Sequence, residues 1–161
     1  MRSYFCANVT VIEMNDKPMS LEESKPLSGR FRKHVGYGST IWRENYAEIV
    51  LDLESYHGNS EGAVHGGVYM TMLDGALSQA ALWCRVEANV RRCVTISLTT
   101  SFLKAARGPR ITAIGRLESN TNRVAVCSGE IVDQDGTVCA TGLASFRYMR
   151  GSENPDGVPK I

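Results

Sequence analysis

The sequence predicts an α+β domain in which an antiparallel sheet wraps around one buried helix. One long stretch without proline, residues 66–86, has apolar side chains at three- and four-residue spacings. Shorter strand-like runs stand on both sides of this stretch, and turn residues separate them. Apolar residues cover nearly the whole circumference of the predicted helix, so we expect it to be buried on most sides.

Two strands are predicted before the helix. In residues 46–53, Ala47 and Ile49 begin an apolar series that alternates with mostly polar side chains, which is typical of a half-buried strand. Residues 36–42 form a weaker candidate, and a turn is expected near residues 43–45. The two strands are therefore predicted to pair.

Four strands are predicted after the helix, at residues 94–103, 110–118, 123–132 and 138–149. In the first, Val94, Ile96 and Leu98 alternate with Ser and Thr, so one apolar and one polar face are expected. Turn signals such as Arg107-Gly108-Pro109 separate the strands. These links favour antiparallel hairpins between consecutive strands, which would give a meander.

The two ends of the chain are predicted to lie outside the main domain, which we assign to residues 34–149. Residues 1–33 form an N-terminal extension that is partly helical, because Ser20 and Glu23 have the spacing of a capping box. Residues 150–161 are rich in Gly, Pro and Asn and poor in apolar residues, so a flexible C-terminal tail is expected.

Composition excludes several functional classes. The 161 residues suffice for a single core, and 18 Lys and Arg balance 17 Asp and Glu, so no strong overall field favours nucleic acid or an anionic membrane. No run approaches the length of a membrane span, and we expect a cytoplasmic protein. The five cysteines are scattered without a C-x-x-C pair, which predicts reduced thiols and no zinc site.

The start of the predicted helix has the features of an electrophile site. Gly66 and Gly67 lack side chains, so a ligand can approach the backbone N–H groups at the helix N-terminus. Unpaired donors and the positive end of the helix dipole would polarise a carbonyl or hold an oxyanion there.

Polar residues around this helix start are candidates for the chemistry. Asp74 places a carboxylate in an otherwise apolar helix, which is costly unless it faces a cavity, a charge partner or an interface. Asn59 offers an amide that can orient water, and His65 can donate a hydrogen bond. Structural alternatives exist for each: an Asx turn at Asn59, a satisfied loop histidine, or an ion pair of Asp74 with Arg116 or Arg123.

The spacing of these residues is the specific signal. The pattern Asn59-x-x-Gly62-x-x-His65-Gly66-Gly67, with Asp74 further along and the strand from Val94 after it, resembles the acyl-CoA thioesterases of the hotdog superfamily. Within that superfamily it resembles the PaaI-like, phenylacetate-degradation branch, over residues 34–149. This resemblance implies an antiparallel sheet wrapped around one long helix.

The resemblance also implies roles. Asp74 matches the catalytic carboxylate, either a general base or a nucleophile, and Gly66 matches the glycine whose N–H polarises the thioester carbonyl. Asn59 matches the amide that positions water, Thr95 falls near the carboxylate, and His65 is a supporting residue. The implied reaction is hydrolysis of an aryl- or medium/long-chain acyl-CoA, with no metal or other cofactor because coenzyme A is part of the substrate.

Candidate substrate-binding residues are Gly67 and Met70 beside the reacting group, and Lys104, Arg107 and Arg123 for the phosphates of coenzyme A. Ordinary surface charge is the alternative for the three basic residues. Two other functions stay open: an acyl-CoA-binding hotdog protein without turnover, and a hotdog dehydratase or hydratase. Release of free thiol from acyl-CoA would separate them.

Helix geometry predicts self-association. Gly66 and Asp74 are eight residues apart, so they lie roughly 12 Å apart along the helix axis. One thioester carbon cannot contact both groups. A two-fold dimer with antiparallel helices would bring Asp74 of one chain to Gly66 of the other, and the resemblance implies such dimers or tetramers.

Overall fold

A six-stranded antiparallel sheet wraps around one long helix in the computed structural model, which describes residues 30–160. The elements are α1 (Arg30–Val35), β1 (Gly38–Arg43), β2 (Tyr46–Asp52), α2 (Gly66–Ala81), β3 (Asn89–Val90), β4 (Cys93–Phe102), β5 (Arg110–Asn120), β6 (Val124–Asp133), β7 (Val138–Tyr148) and β8 (Val158–Pro159). The strands of the main sheet lie in the order β1, β2, β5, β6, β7, β4. The predicted hotdog architecture is confirmed. Neither helix within residues 30–160 has the length and apolar character that a bilayer crossing requires.

The elements before and including α2 follow the predictions closely. β1 and β2 form an antiparallel hairpin whose turn places Asn45 at a φ of 61°. The helix predicted over residues 66–86 is shorter in the structure, where it ends at Ala81. The guanidinium of Arg91 donates to the carbonyls of Ala81 and Trp83 at 3.0 Å each, so the chain leaves the helix with these carbonyls satisfied.

The predicted hairpin between residues 94–103 and 110–118, which correspond to β4 and β5, is wrong. β4 pairs with β7 at one edge of the sheet, whereas β5 pairs with β2 on one side and β6 on the other. Because both sides of β5 are occupied, β4 cannot join it. The link between them instead crosses the start of α2, where the N–H of Ala106 donates to the hydroxyl of Tyr69 at 3.0 Å.

A β-bulge at Ile96 interrupts the alternation predicted for β4. Thr95 lies opposite Phe146 and Ser97 lies opposite Ser145, so Ile96 has no partner of its own. The bulge moves Thr95 to the face that covers α2, the same face as Leu98 further along. The predicted separation of apolar and polar faces therefore holds only after the bulge.

Aligned glycines let α2 lie close to the sheet. Gly115, Gly129 and Gly142 are cross-strand partners on β5, β6 and β7. A Cβ atom at Gly115 would overlap the carbonyl of Ala76, and one at Gly142 would lie 3.1 Å from Leu73. The position of α2, and of every group on it, therefore depends on small residues in the sheet.

Residues 150–160 do not form the predicted flexible tail. β8 pairs with β3, and Ser152 is only 1% exposed. The Ser152 hydroxyl accepts from the N–H of Arg92 at 2.9 Å, and its carbonyl accepts from Nε of Arg91 at 2.8 Å. Polar contacts thus hold a segment that has few apolar residues. The predicted N-terminal extension lies outside the described residues, except for the residues of α1 that it contains.

Candidate active site

The first turn of α2 contains a backbone donor that the chain does not use. His65 is the N-cap residue; its Nδ1 accepts from the N–H of Gly67 at 2.9 Å, and its carbonyl accepts from the N–H of Val68 at 2.9 Å. Within residues 30–160, the N–H of Gly66 has no acceptor. Gly66 therefore offers the donor at the positive end of the helix dipole, whereas Gly67 does not.

His65 supports the helix start in a different way from the one expected. Because its Nδ1 accepts a hydrogen bond, a neutral His65 carries its proton on Nε2. The predicted donor is thus an acceptor toward Gly67 in the first turn of α2. Its contact with Gly67 fixes which N–H group of the first turn stays available.

An aromatic side chain forms a wall beside the free donor. A Cβ atom at Gly66 would lie 3.3 Å from Cζ of Phe102, so the ring lies directly against the glycine. Phe102 stacks on Tyr69 with ring centroids 6.2 Å apart, yet 54% of it remains exposed. An apolar wall strengthens the interaction between the N–H group and a developing negative charge, because it excludes water from one side.

Asp74 lies on the same side of α2 as Gly66. Residues Gly66, Met70 and Asp74 are spaced four apart, which aligns them along one face of the helix. Oδ1 of the half-buried Asp74 accepts from the hydroxyl of Thr95 at 2.8 Å. The bulge in β4 makes this contact possible, because it turns Thr95 toward α2.

The predicted alternative of an ion pair for Asp74 is not observed. Arg116 instead lies 3.2 Å from Glu130 on the neighbouring strand. Arg123 precedes β6, and within residues 30–160 no ion pair joins it to Asp74. The carboxylate is therefore held by a neutral hydroxyl group, which leaves its negative charge uncompensated.

Two further residues near Asp74 were not predicted. The Tyr37 hydroxyl lies over Gly75, and burial raises its pKa, as does the negative charge of Asp74, while Arg32 lowers it. Burial, with a further contribution from Asp74, raises the pKa of the Cys93 thiol to about 11. Both groups are protonated at neutral pH, so neither adds negative charge beside Asp74. Only the bulge-dependent register of β4 brings Cys93 here, so alternation alone could not find it.

In one chain, the donor and the carboxylate do not meet. Gly66 and Asp74 lie roughly 12 Å apart along α2. The surface between and beside them is apolar, and no other part of residues 30–160 covers it; Met70 is 41% exposed. Large exposed apolar side chains continue along the unpaired edge of β4 and just after it: Val94, Ile96, Phe102 and Leu103. An exposed apolar strip next to an unpaired strand edge is typical of a surface that another chain covers.

Asn59 forms the Asx turn that was predicted as its structural alternative. Its Oδ1 accepts from the N–H groups of Glu61 at 3.0 Å and Ala63 at 3.1 Å, forming an Asx turn. Within residues 30–160, its amide NH₂ group has no acceptor. The turn therefore occupies only the oxygen, and the nitrogen is the part available to a water molecule or a substrate.

The charged residues proposed for phosphate binding are dispersed. Lys104 and Arg107 lie near the start of α2, in the link that contacts Tyr69. Arg123 lies at the opposite end, where its carbonyl accepts from the N–H of Tyr148 at 2.9 Å. Among the residues that the structure describes, no group of three or more His, Cys, Asp or Glu side chains is arranged to hold a metal ion.

Comparison with known families gives a match in the same region. The family model described as the thioesterase superfamily matches residues 61–140, which include Gly66, Asp74 and Thr95. A protein of Halobacterium salinarum that is named as an esterase is 35% identical over 102 residues. That match covers 58% of this chain and 66% of the relative, just under two thirds of its length.

Solved structures with similar folds include a protein named as a thioesterase and a protein of a phenylacetic acid degradation operon. A thioesterase from Haemophilus influenzae aligns with a TM-score of 0.68 and 19% identity over 83% of this chain and 92% of its own. The PaaI protein of the E. coli phenylacetic acid degradation operon aligns with a TM-score of 0.65 and 19% identity over 74% and 83% of the two chains. At these identities the likeness establishes the fold.

Proposed function

Because residues 61–140 match the thioesterase superfamily, we propose that the chain belongs to this family of hotdog fold and hydrolyses the thioester of an acyl-coenzyme A to a free acid and coenzyme A. The observation that carries this proposal is the free N–H of Gly66 at the start of the same helix that presents Asp74. A backbone donor at a positive helix end stabilises an oxyanion, and a carboxylate activates water or attacks directly.

The reaction divides between these two groups. The thioester oxygen accepts from the N–H of Gly66, and water attacks the carbonyl carbon as Asp74 takes its proton. Negative charge on the tetrahedral oxygen is stabilised at the helix start. The C–S bond then breaks, and the leaving thiolate of coenzyme A takes the proton from Asp74. Direct attack by the Asp74 carboxylate, with later hydrolysis of the resulting anhydride, is the alternative course.

The site is composite in this proposal. One carbonyl carbon cannot contact two groups roughly 12 Å apart on one helix, so Asp74 must come from a second chain. Two α2 helices that run antiparallel across a two-fold axis would create two equivalent sites. The exposed apolar side chains along β4 and just after it support this arrangement, because they lie on the strand that contacts Asp74 and beside Gly66.

Neighbouring residues support the chemistry. Thr95 orients the Asp74 carboxylate through one oxygen and leaves the other for the reacting proton. The free amide of Asn59 positions water, and His65 holds the first turn in shape. The proposed chemistry uses only protein groups and water.

The acyl group is expected to lie along Met70 and Phe102. A flexible Met side chain and an aromatic wall suit either an aryl group or an aliphatic chain. A structural relative is named for a phenylacetic acid degradation operon, which supports testing arylacetyl groups first. Medium and long aliphatic chains form the second set of candidates.

Release of free thiol from a panel of acyl-CoA substrates tests the function. We expect turnover by the natural chain and a loss of kcat on the order of a hundredfold or more in Asp74→Asn, which keeps the shape but removes the base or nucleophile. Thr95→Ser keeps the hydroxyl and should retain most activity. Tight binding of acyl-CoA without turnover, or addition of water to an enoyl-CoA, would contradict the proposal.

Subunit mixing tests the composite site. Asp74→Asn and Gly66→Pro are each expected to lose about a hundredfold or more in kcat, the second because it removes the N–H donor. In a mixed dimer, one site combines Gly66 of the first variant with Asp74 of the second. Activity should return to about half the normal value per heterodimer if the sites act independently. Heterodimers without activity would show that the two groups do not share a site.

A further inference from the structure

Three arginines surround one surface cavity at the end of β6 and β7. Arg123, Arg147 and Arg150 line a cavity of about 440 Å³, together with Glu153 and the buried Tyr148. Arg147 on β7 pairs with Val124 on β6, and Val124 directly follows Arg123 in the chain. The cavity therefore concentrates positive charge in a chain whose net charge is only +1.

In the described part of the chain, these arginines have no carboxylate partner. The ion pairs within residues 30–160 join Arg85, Arg110 and Arg116 to acidic side chains, and Glu153 is not within ion-pair distance of the three cavity arginines. Like charges around one cavity repel each other, and a bound polyanion removes that cost. The planar guanidinium fork matches phosphate oxygens in pairs, so phosphate groups are the ligand chemistry that fits.

The cavity lies at the end of α2 that is remote from Gly66. The N–H of Tyr148 donates to the carbonyl of Arg123, and the hydroxyl of Tyr148 donates to the carbonyl of Ala81, the last residue of α2. Ala81 is 15 residues beyond Gly66, or roughly 22 Å along the helix axis. The pantetheine arm between the sulfur and the diphosphate of coenzyme A is about a dozen bonds long and spans roughly 15 Å when extended. Along the helix axis, the diphosphate of a substrate bound at Gly66 therefore falls short of this end of α2 in the same chain.

The proposed dimer changes this distance. If Asp74 of one chain faces Gly66 of the other on antiparallel helices, Ala81 of the first chain lies seven residues past that point. The axial offset between this Ala81 and Gly66 is then roughly 10 Å, which the pantetheine arm can span. Lys104 and Arg107 of the chain that supplies Gly66 lie at this same end of the site.

We propose that Arg123, Arg147 and Arg150 bind the phosphates of the coenzyme A nucleotide, and that they serve the site to which their own chain contributes Asp74. This inference rests on the proposed thioesterase function and its composite site. It assigns both sides of the substrate: one chain supplies the oxyanion donor, and the other supplies the carboxylate and the arginines. Recognition of the nucleotide would then require the same dimer that assembles the catalytic groups.

Charge removal at the cavity tests the assignment. The double variant Arg147→Ala/Arg150→Ala is compared with Arg116→Ala, which removes a surface arginine that is paired elsewhere. The readout is kcat/KM for an acyl-CoA divided by kcat/KM for the same acyl group on pantetheine. We expect this ratio to fall at least tenfold in the double variant, through KM, and less than twofold in Arg116→Ala. An unchanged ratio in the double variant would overturn the assignment.

Binding measurements separate failure of this inference from failure of the proposed function. Calorimetry with adenosine 3′,5′-bisphosphate needs no turnover, so it tests the arginines even if no thioester is hydrolysed. The natural chain should bind the bisphosphate at least tenfold more tightly than the double variant does. Equal binding by both proteins, or tighter binding of inorganic diphosphate than of the nucleotide, would contradict a nucleotide site.

Mixed dimers test which chain supplies the arginines. In heterodimers of Gly66→Pro with Asp74→Asn, the working site takes Asp74 from the Gly66→Pro chain. Adding Arg147→Ala/Arg150→Ala to that chain should abolish the preference for coenzyme A over pantetheine. Adding the same changes to the Asp74→Asn chain is the matched control and should leave the preference intact. The reverse result, or an equal loss in both, would overturn the assignment.

Discussion

The two ends of α2 meet the same chemical problem with opposite results. Any helix leaves N–H groups unpaired at its start and carbonyl groups unpaired at its end. At the end of α2, the buried Arg91 donates to the carbonyls of Ala81 and Trp83, and Tyr148 also donates to Ala81. At the start, His65 satisfies the N–H of Gly67, yet within residues 30–160 Gly66 has no acceptor.

This difference separates an end of α2 that the chain itself closes from an end that the proposed function uses. The buried Arg91 closes the end of α2, and its Nε donates to the carbonyl of Ser152 in the C-terminal segment. Specific polar contacts within the chain therefore satisfy this end. Leaving the start open costs stability, because an N–H group without a partner has no compensating interaction except with water or a ligand. The contrast predicts that changes at the start reduce activity, whereas changes at the end reduce stability.

The largest effect is expected at Gly66. Proline suits the first position of a helix, and His65 already has the extended ψ of 135° that a residue before proline needs. Gly66→Pro should therefore fold but lose about a hundredfold in kcat, because the oxyanion donor is gone. Gly66→Ala brings the same Cβ atom against Phe102 and keeps the N–H, so it is the matched control. Equal activity in both variants would show that the N–H plays no part.

The second effect is expected at Arg91. Arg91→Ala leaves the carbonyls of Trp83 and Ser152 without their donor, leaves that of Ala81 with Tyr148 alone, and removes the guanidinium that lies 4.5 Å over the ring of Tyr148. Urea unfolding should show a loss of about 2 kcal/mol, since buried polar groups lose their partner. The kcat of the folded protein should not change. A stable Arg91→Ala protein with low kcat would reverse the contrast between the two ends.

An intermediate effect is expected at Asn59. Asn59→Asp keeps the oxygen that accepts from Glu61 and Ala63 but loses the amide NH₂ group, whereas Asn59→Ala loses both. We expect kcat to fall about tenfold in both variants, with KM nearly unchanged, and only Asn59→Ala should lose stability. Wild-type kcat in Asn59→Asp would restrict Asn59 to its turn.

The smallest effect is expected at Tyr148. Tyr148→Phe removes one hydrogen bond to Ala81 and keeps the ring against Arg91. Thermal unfolding should report a loss of about 1 kcal/mol or less, because Arg91 still satisfies the same carbonyl. Thiol release should be unchanged. A larger loss than in Arg91→Ala would identify the tyrosine as the main closure of this end.

Local patterns in the sequence predict the helix and most strands. Alternation identifies β2, and helical spacing without proline identifies α2, because both patterns come from burial against one core. Asp74 stands out because a carboxylate in an apolar helix is costly unless it faces a cavity, a charge partner or an interface. These features depend on neighbouring residues in the chain, so periodicity reveals them.

Features that depend on distant parts of the chain were not predictable in the same way. The pairing of β4 with β7 follows from competition for the sides of β5, which no local pattern records. Residues 150–160 are ordered by polar contacts to Arg91 and Arg92, although their composition is typical of a flexible tail. The closure of α2 also lies in these long-range contacts.

The bulge at Ile96 has a consequence for how sequences of this fold are aligned. A related strand without the bulge would keep the same pairing with one residue fewer, so Thr95 and Leu98, which share a face three positions apart here, would correspond to positions only two apart. An alignment that shifts β4 by a single position across the bulge would therefore assign the hydroxyl partner of the carboxylate to a residue on the opposite face of the strand.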